Sequence, residues 1–150
     1  MQTIEDMLKD HPFFDGLSAE HLAFLAGCAS NIHFQAGDIV FREGTEANSF
    51  YVIRQGKVTV ETLVEGRGPI VFETIGEGNV LGWSWLFPPY RWAYDARALE
   101  TTRATVFDGV CLRNKCEAEP VMGYNLMQRF AHIITQRLQA TRSLLVDLKF

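Results

Sequence analysis

Apolar residues follow a helical spacing at both ends of the chain and a strand-like pattern between them. Near the start, Leu22, Leu25 and Cys28 recur every three residues after Ser18, a residue that commonly caps a helix. Near the end, no proline interrupts the thirty residues after Pro120, which suits the first turn of a helix. The pattern therefore predicts N-terminal helices over 1–30, a strand-rich segment over 31–108 and C-terminal helices over 110–150.

The middle segment consists of short apolar runs bounded by glycines, a pattern typical of antiparallel β-proteins. Gln55-Gly56 predicts a tight hairpin, and the segment 65–68 predicts a looser one. We expect a mainly β fold with flanking helices, in which an antiparallel β-roll of the jelly-roll kind precedes a long C-terminal helix. The predicted strands are Ile39 to Phe41, Phe50 to Ile53, Val58 to Val60, Ile70 to Ile75 and Thr105 to Phe107.

The last predicted helix carries two apolar stripes. The first follows alternating steps of four and three residues over three heptads. Its members are Met127, Ala131, Ile134, Leu138, Thr141, Leu145 and Leu148. Beside it lie Leu126, Phe130 and Ile133. One stripe can pack on the roll while the other contacts a second chain, and the alternative is that both pack within the monomer. The length of the helix favours a homodimer or a partner protein bound through it.

Composition narrows the class of protein. The chain has 150 residues, of which 47% are apolar and 21% charged, with a formal net charge of −4. This balance argues against direct nucleic-acid binding, because it provides no general basic field for a polyanion. The longest uncharged stretch, 78–90, is too short and too irregular to span a bilayer, and no N-terminal segment resembles an export signal. Three cysteines without framework spacing suit a reducing compartment, so we expect a cytoplasmic protein.

Aromatic residues are unevenly distributed. They make up an ordinary 12% of the chain, yet all three tryptophans, Trp83, Trp85 and Trp92, fall within ten residues of each other. Phe87, Tyr90 and Tyr94 lie in the same stretch. The cluster has two interpretations that the sequence leaves open. It forms a pocket for a planar ligand, or it fills a vacant pocket and makes a purely structural domain.

One set of motifs is more specific than the rest. Gly37-Asp38-x-Val40 is followed by Gly44-x-x-Ala47, Tyr51-x-Ile53 and Gly56-x-Val58. This spacing resembles the cyclic-nucleotide-binding domain of the catabolite-activator and kinase-regulatory-subunit superfamily, and the resemblance covers nearly the whole chain. It implies a regulatory domain rather than an enzyme, with a cyclic nucleotide or another nucleotide as its possible ligand.

The resemblance also implies a ligand site near the end of the roll. In the family, a glycine and an acidic residue open a short helix that faces the cyclic phosphate, and the acidic residue binds the ribose hydroxyl. Here Gly82 matches the glycine, whereas Trp83 stands at the acidic position and Ser84 is the nearest hydroxyl. Losing a charge-assisted hydrogen bond costs about 1.5–3 kcal/mol, which stacking on Trp83, Trp85 or Tyr90 could offset.

The family's phosphate-binding arginine has two possible registers here. One aligns Arg91-Trp92-Ala93 with the arginine and the small residues after it. The other, set by Ala96-Arg97-Ala98, places Trp92 at the arginine position and leaves Arg91 one residue away. An arginine among uncharged aromatic residues needs a counter-anion or solvent, and Asp95 or a bound phosphate could serve. The predicted ligand-binding residues are Gly82, Trp83, Ser84, Trp85, Arg91, Trp92 and Ala93.

Other kinds of site find little support. The glycines at 76, 78 and 82 superficially resemble a dinucleotide fingerprint, but proline and aromatics follow where a long helix should begin. The histidines and cysteines lack the spacing of a metal site, and no residue specifically suggests haem. No nucleophile motif or carboxylate pair indicates catalysis.

These observations lead to three functional hypotheses. The first is a stand-alone regulatory or sensor domain that binds a nucleotide-like anion and signals through its C-terminal helix. The second is a ligand-free accessory subunit of a larger complex, a redox complex being one option. The third is a relative of transcription regulators that acts by heterodimerising, since the chain stops at Phe150, where a DNA-binding domain would begin in that branch of the superfamily.

Overall fold

The computed structural model describes residues 2–149 and contains two antiparallel sheets and four α-helices. The predicted segments extend to residues 1 and 150, which lie outside the described residues. The helices are α1 (Ile4–Asp10), α2 (Ala19–Gly27), α3 (Gly109–Ala118) and α4 (Pro120–Lys149). The strands are β1 (Ala29–Phe34), β2 (Ile39–Phe41), β3 (Ser49–Gln55), β4 (Val58–Val64), β5 (Gly68–Ile75), β6 (Val80–Leu81), β7 (Asp95–Ala98) and β8 (Thr102–Asp108).

The strands form a β-roll of two four-stranded sheets, which confirms the predicted fold class. The first sheet has the order β1-β8-β3-β6 and the second the order β2-β7-β4-β5. All five predicted strands are present, and three strands of the structure, β1, β6 and β7, are not among the predicted ones. No helix among residues 2–149 combines the length and the apolar character that crossing a bilayer requires.

The prediction of a tight hairpin at Gln55-Gly56 is wrong. β3 and β4 belong to different sheets, so this turn passes from one sheet to the other. Gly56 has a φ of +103°, and a Cβ on it would lie 2.5 Å from the Thr102 hydroxyl oxygen. The close approach explains why the turn needs glycine. The looser turn at 65–68 does join paired strands, because Val64 lies opposite Gly68.

The first sheet separates two apolar cores, since neighbouring residues of β3 face opposite sides. Phe50 and Val52 pack with the helices in a helical core that also contains Phe130. Tyr51 and Ile53 pack with the second sheet in a roll core. The molecule is therefore built as three layers, with helices, first sheet and second sheet in that order.

Helix α4 packs on the body over only part of its length. Leu126 and Phe130 of the second stripe are fully buried in the helical core, and Ile133 packs against it. Met127 and Leu138 of the first stripe are exposed, and every residue from 138 to 148 is exposed. The C-terminal third of α4 therefore extends beyond the layers that cover its beginning.

Candidate functional site

Gly82 opens the segment that the sequence assigns to ligand binding. Its φ is +97°, and a Cβ on it would lie 2.8 Å from the Trp92 ring. Glycine is therefore required both by the backbone conformation and by the ring that covers it.

Trp92 occupies the interior of the roll. It is 4% exposed and stacks on Phe41, with 3.7 Å between ring centroids and an interplanar angle of 6°. Trp92 rather than Arg91 therefore faces the interior beside Gly82. The space in front of Gly82 is thus filled by an indole.

Arg91 lies on the surface. Its Nη1 donates a hydrogen bond to the carbonyl oxygen of Gly44 at 3.0 Å, and its backbone pairs with Glu46. Asp95, considered in the sequence as a partner for this arginine, instead accepts a hydrogen bond from the backbone N–H of Glu43 at 2.7 Å. Ala93 is exposed as well.

The remaining predicted residues lie nearer the helices. Trp85 is fully buried in the helical core, where it stacks on Phe50 at 5.3 Å and meets Phe130 edge-on at 5.5 Å. Ser84 is buried beside it. Trp83 is half-buried and packs against both cores. The seven residues thus occupy the roll interior, the helical core, the surface and the boundary between the cores, and their role as ligand contacts stays a prediction.

A cavity opens where Trp83 meets α4. Its volume is about 230 Å³, and we call it the mouth cavity. Its aromatic lining consists of Trp83, Tyr94 and Phe72, and its charged lining consists of Glu73 and Arg137. Val60, Ile134, Leu138 and Thr141 complete it. The sequence places Trp83 and Tyr94 in the aromatic cluster. It does not indicate the lining residues from β5 and α4, because no local pattern connects these distant segments to the cluster.

Arg137 connects α4 to the roll at this cavity. Its side chain is 12% exposed, its Nε lies 3.4 Å from Glu73 Oε1, and its Nη2 donates a hydrogen bond to the carbonyl oxygen of Val80. Its guanidinium also lies over the Trp83 ring, 4.9 Å from the centroid, in cation–π contact. One side chain of α4 thus contacts both charged and aromatic groups of the roll.

Burial dominates the electrostatics of the mouth cavity. Desolvation raises the pKa of Tyr94 to about 12, against the opposing charge of Arg137. Desolvation also raises the pKa of Glu73, again opposed by Arg137, and lowers the pKa of Arg137 itself. The same cause acts on all three groups because they share one water-poor environment.

Two buried polar atoms at this cavity have no hydrogen-bond partner among the described residues. They are the Tyr94 hydroxyl and Arg137 Nη1, although the Arg137 side chain is close enough to Tyr94 to act against the rise in its pKa. Buried donors are usually paired, and leaving one unpaired costs free energy. The cavity can therefore hold a planar group against its aromatic rings and accept an anionic or acceptor atom at these two donors.

Metal-binding geometry is a separate question. Within residues 2–149 no three His, Cys, Asp or Glu side chains lie close enough together to hold a metal ion.

The chain is similar to proteins of known sequence and structure. The model of the cyclic nucleotide-binding domain matches residues 31–119. A CRP-like cAMP-activated global transcriptional regulator of Mycobacterium tuberculosis is 24% identical over 147 residues, which are 98% of this chain and 64% of the regulator. A protein described as a potassium channel of Rhodopseudomonas palustris is 27% identical over 122 residues, 81% of this chain and 29% of that protein.

A solved structure agrees closely in fold. The crystal structure of a protein from Geobacter metallireducens, described as cyclic nucleotide-binding, superposes with a TM-score of 0.82 at 25% identity and covers 92% of this chain and 99% of its own. The two curated relatives are longer, since the chain spans less than two thirds of either. With the family model matched over more than half of its residues, and with the β-roll on which that match falls, this chain belongs to the cyclic nucleotide-binding domain family.

Proposed function

We propose that this domain is a regulatory sensor that binds a nucleotide-like anion in the mouth cavity and signals through α4. The observation that carries the proposal is Arg137, which belongs to α4 and lines the cavity opposite Trp83 and Tyr94. A ligand in the cavity would contact the roll and the helix together, so its binding energy would favour one arrangement of the two. One relative of this chain is named as activated by cAMP, which supports a ligand of the same chemical class.

The proposal retains Trp83 from the ligand-binding residues predicted by sequence and reassigns the anion to Arg137. Trp83 offers a ring face to a purine or another planar base. Arg137 is held in the cavity lining by Glu73 and Val80 and keeps its buried Nη1 without an acceptor among residues 2–149, whereas Arg91 lies on the surface. Gly82 and Trp92 then belong to the packed interior of the roll and do not contact the phosphate.

Isothermal titration calorimetry with cAMP, cGMP, a cyclic dinucleotide and NADPH tests this site. We expect heat with at least one of them, and about ten- to a hundredfold weaker binding in Arg137→Gln, because a charge-assisted hydrogen bond is worth about 1.5–3 kcal/mol. Arg91→Gln is the matched control, since it removes the same charge from the surface, and it should bind as the wild type does.

The converse result would move the site. Weaker binding in Arg91→Gln with unchanged binding in Arg137→Gln would return the ligand to the segment 82–93. Trp83→Phe provides a second variant that keeps an aromatic ring, and it should reduce affinity less than Trp83→Ala does.

A second candidate function follows from a different observation. Trp92 fills the interior beside Gly82, as expected for a domain whose nucleotide pocket has become part of its core. In that case the domain is an accessory subunit that docks through the exposed apolar face of α4. No heat with any of the four nucleotides would favour this function over the first.

A further inference from the structure

Two cysteines far apart in sequence lie in contact in the structure. Cys28 follows α2, Cys111 lies in the first turn of α3, and their Sγ atoms are 3.0 Å apart. A disulfide bond is about 2.05 Å long, so bonding requires the two sulfurs to approach by about 1 Å. Both cysteines are free and partly exposed, which gives an oxidant access to them.

The backbone around the two cysteines holds them at this distance. The N–H of Asp108 donates to the carbonyl oxygen of Cys28 at 2.9 Å, and Ala29 lies opposite Phe107 in the pairing of β1 with β8. Asp108 also caps α3, because its Oδ1 accepts from the N–H groups of Val110 and Cys111. The thiol contact therefore rests on paired strands and a capped helix rather than on loops.

We propose that Cys28 and Cys111 form a reversible disulfide when the protein meets a peroxide. The sulfur of one cysteine attacks a peroxide oxygen, the O–O bond breaks, and water leaves, which produces a sulfenic acid. The second sulfur then attacks the sulfenic sulfur, the S–O bond breaks, and a second water leaves. In total, two thiols and one hydrogen peroxide yield one disulfide and two waters, and a dithiol reductant reverses the bond through two exchange steps.

Burial raises the pKa of Cys28 to about 12, with the contact to the Cys111 thiol as a second cause. Either sulfur can be oxidised first, because the other lies 3.0 Å away and can resolve the sulfenic acid.

The third cysteine lies outside this pair and serves as the control. Cys116 follows Cys111 by five residues in α3, which places it about 140° around the helix and about 7.5 Å along its axis. It lies against Gly123 of α4 instead.

The disulfide would link two helices that are distant in the sequence. It would join the end of α2 to the start of α3, and α3 leads directly into α4, which carries Arg137. Because a cross-link restricts local opening, the amide hydrogens of α3 should exchange more slowly in the oxidised protein than in the reduced one.

Thiol counting on the whole chain tests the proposal. After treatment with hydrogen peroxide and removal of the excess, we expect the number of thiols that react with Ellman's reagent in denaturant to fall from three to one. The intact mass should fall by two hydrogen atoms, and dithiothreitol should restore all three thiols. Peptide mapping should recover Cys28 linked to Cys111.

Variants separate this pair from other oxidation chemistry. Cys116→Ser should fall from two thiols to none, whereas Cys28→Ser should form no intramolecular disulfide and should accumulate a sulfenic acid on Cys111 that dimedone traps. A wild-type protein that keeps three thiols, or that links Cys116 or a second chain instead, would overturn the proposal. Because mapping of the wild type decides this without any variant, a folding defect in Cys28→Ser leaves the test intact.

Discussion

Trp92 shows how a single residue changes the interior of the roll. It stacks face to face on Phe41 and covers Gly82, so its ring occupies the volume next to the one glycine that the family motif assigns to ligand binding. Aromatic burial of this extent contributes strongly to stability. The residue therefore stabilises the fold at the position where the resemblance predicts a phosphate contact.

Trp92→Ala should lower the free energy of unfolding by about 3–5 kcal/mol, because it removes a large buried ring and leaves a cavity. Urea denaturation followed by far-UV circular dichroism measures the change. Leu99→Ala is the control at an exposed apolar position and should stay within about 0.5 kcal/mol of the wild type. A loss below 1 kcal/mol for Trp92→Ala would contradict the packed interior.

Glu73 links stability to pH. Burial raises its pKa in the folded protein above the ordinary value of about 4.3. The folded state then holds more protons than the unfolded state above that pH, so stability falls as pH rises through the raised pKa. Relative to Glu73→Gln, which has no carboxyl to titrate, the wild type should lose stability as pH rises from about 4 through the raised pKa of Glu73.

Urea unfolding of both proteins across this range measures the difference. In Arg137→Gln, which removes the charge that opposes the shift, the fall should extend to higher pH. A difference between wild type and Glu73→Gln that stays constant with pH, or that moves in the wild type's favour, would contradict the burial of this carboxyl.

At the scale of the element, α4 consists of a packed part and an exposed part. Its first half is held by buried contacts such as Phe130, and Arg137 is its last half-buried residue. Beyond Arg137 the leucines of α4 are exposed to solvent; Leu138 is 57% exposed and Leu148 is 83% exposed. An isolated apolar helix face is a common site of protein association, so the exposed stripe favours a second chain.

The double substitution Leu145→Lys with Leu148→Lys should weaken self-association of the chain by at least about tenfold, because it places charges in the apolar stripe. Sedimentation equilibrium measures the dissociation constant. Gln139→Lys with Ser143→Lys adds the same charge to exposed positions off the stripe and should associate as the wild type does. Equal weakening of self-association by both pairs of substitutions would indicate a general charge effect rather than association through the apolar stripe.

At the scale of the whole molecule, the two cores depend on one sheet. Side chains of β3 alternate between the helical core and the roll core, and Trp83 packs against both. Because the first sheet forms one side of each core, a loss of packing in one core would also disturb the sheet that supports the other. The layers should therefore unfold together.

Tryptophan fluorescence and far-UV circular dichroism should consequently report the same urea midpoint for the isolated chain. Trp85 reports the helical core and Trp92 the roll core, so the two cores contribute separately to the emission. Two resolved midpoints would show that the helical layer unfolds independently of the roll.

Local features were the ones that the sequence predicted correctly. Ser18 caps α2, and α4 begins at Pro120, because caps and first turns depend on residues close in the chain. The turn at Gln55-Gly56 was misjudged as a hairpin since sheet membership depends on distant strands. β1 was missed because its exposed polar residues carry no apolar alternation.

The sequence alone determined the family and the division into helical, strand-rich and helical segments, since glycine turns and apolar spacing act over short distances. Tertiary structure decided which side chain faces the roll interior, Trp92 rather than Arg91. It also brought Arg137 to Trp83 and Cys28 to Cys111, across separations of 54 and 83 residues. Such contacts depend on how whole layers pack, and no local pattern of residues specifies them.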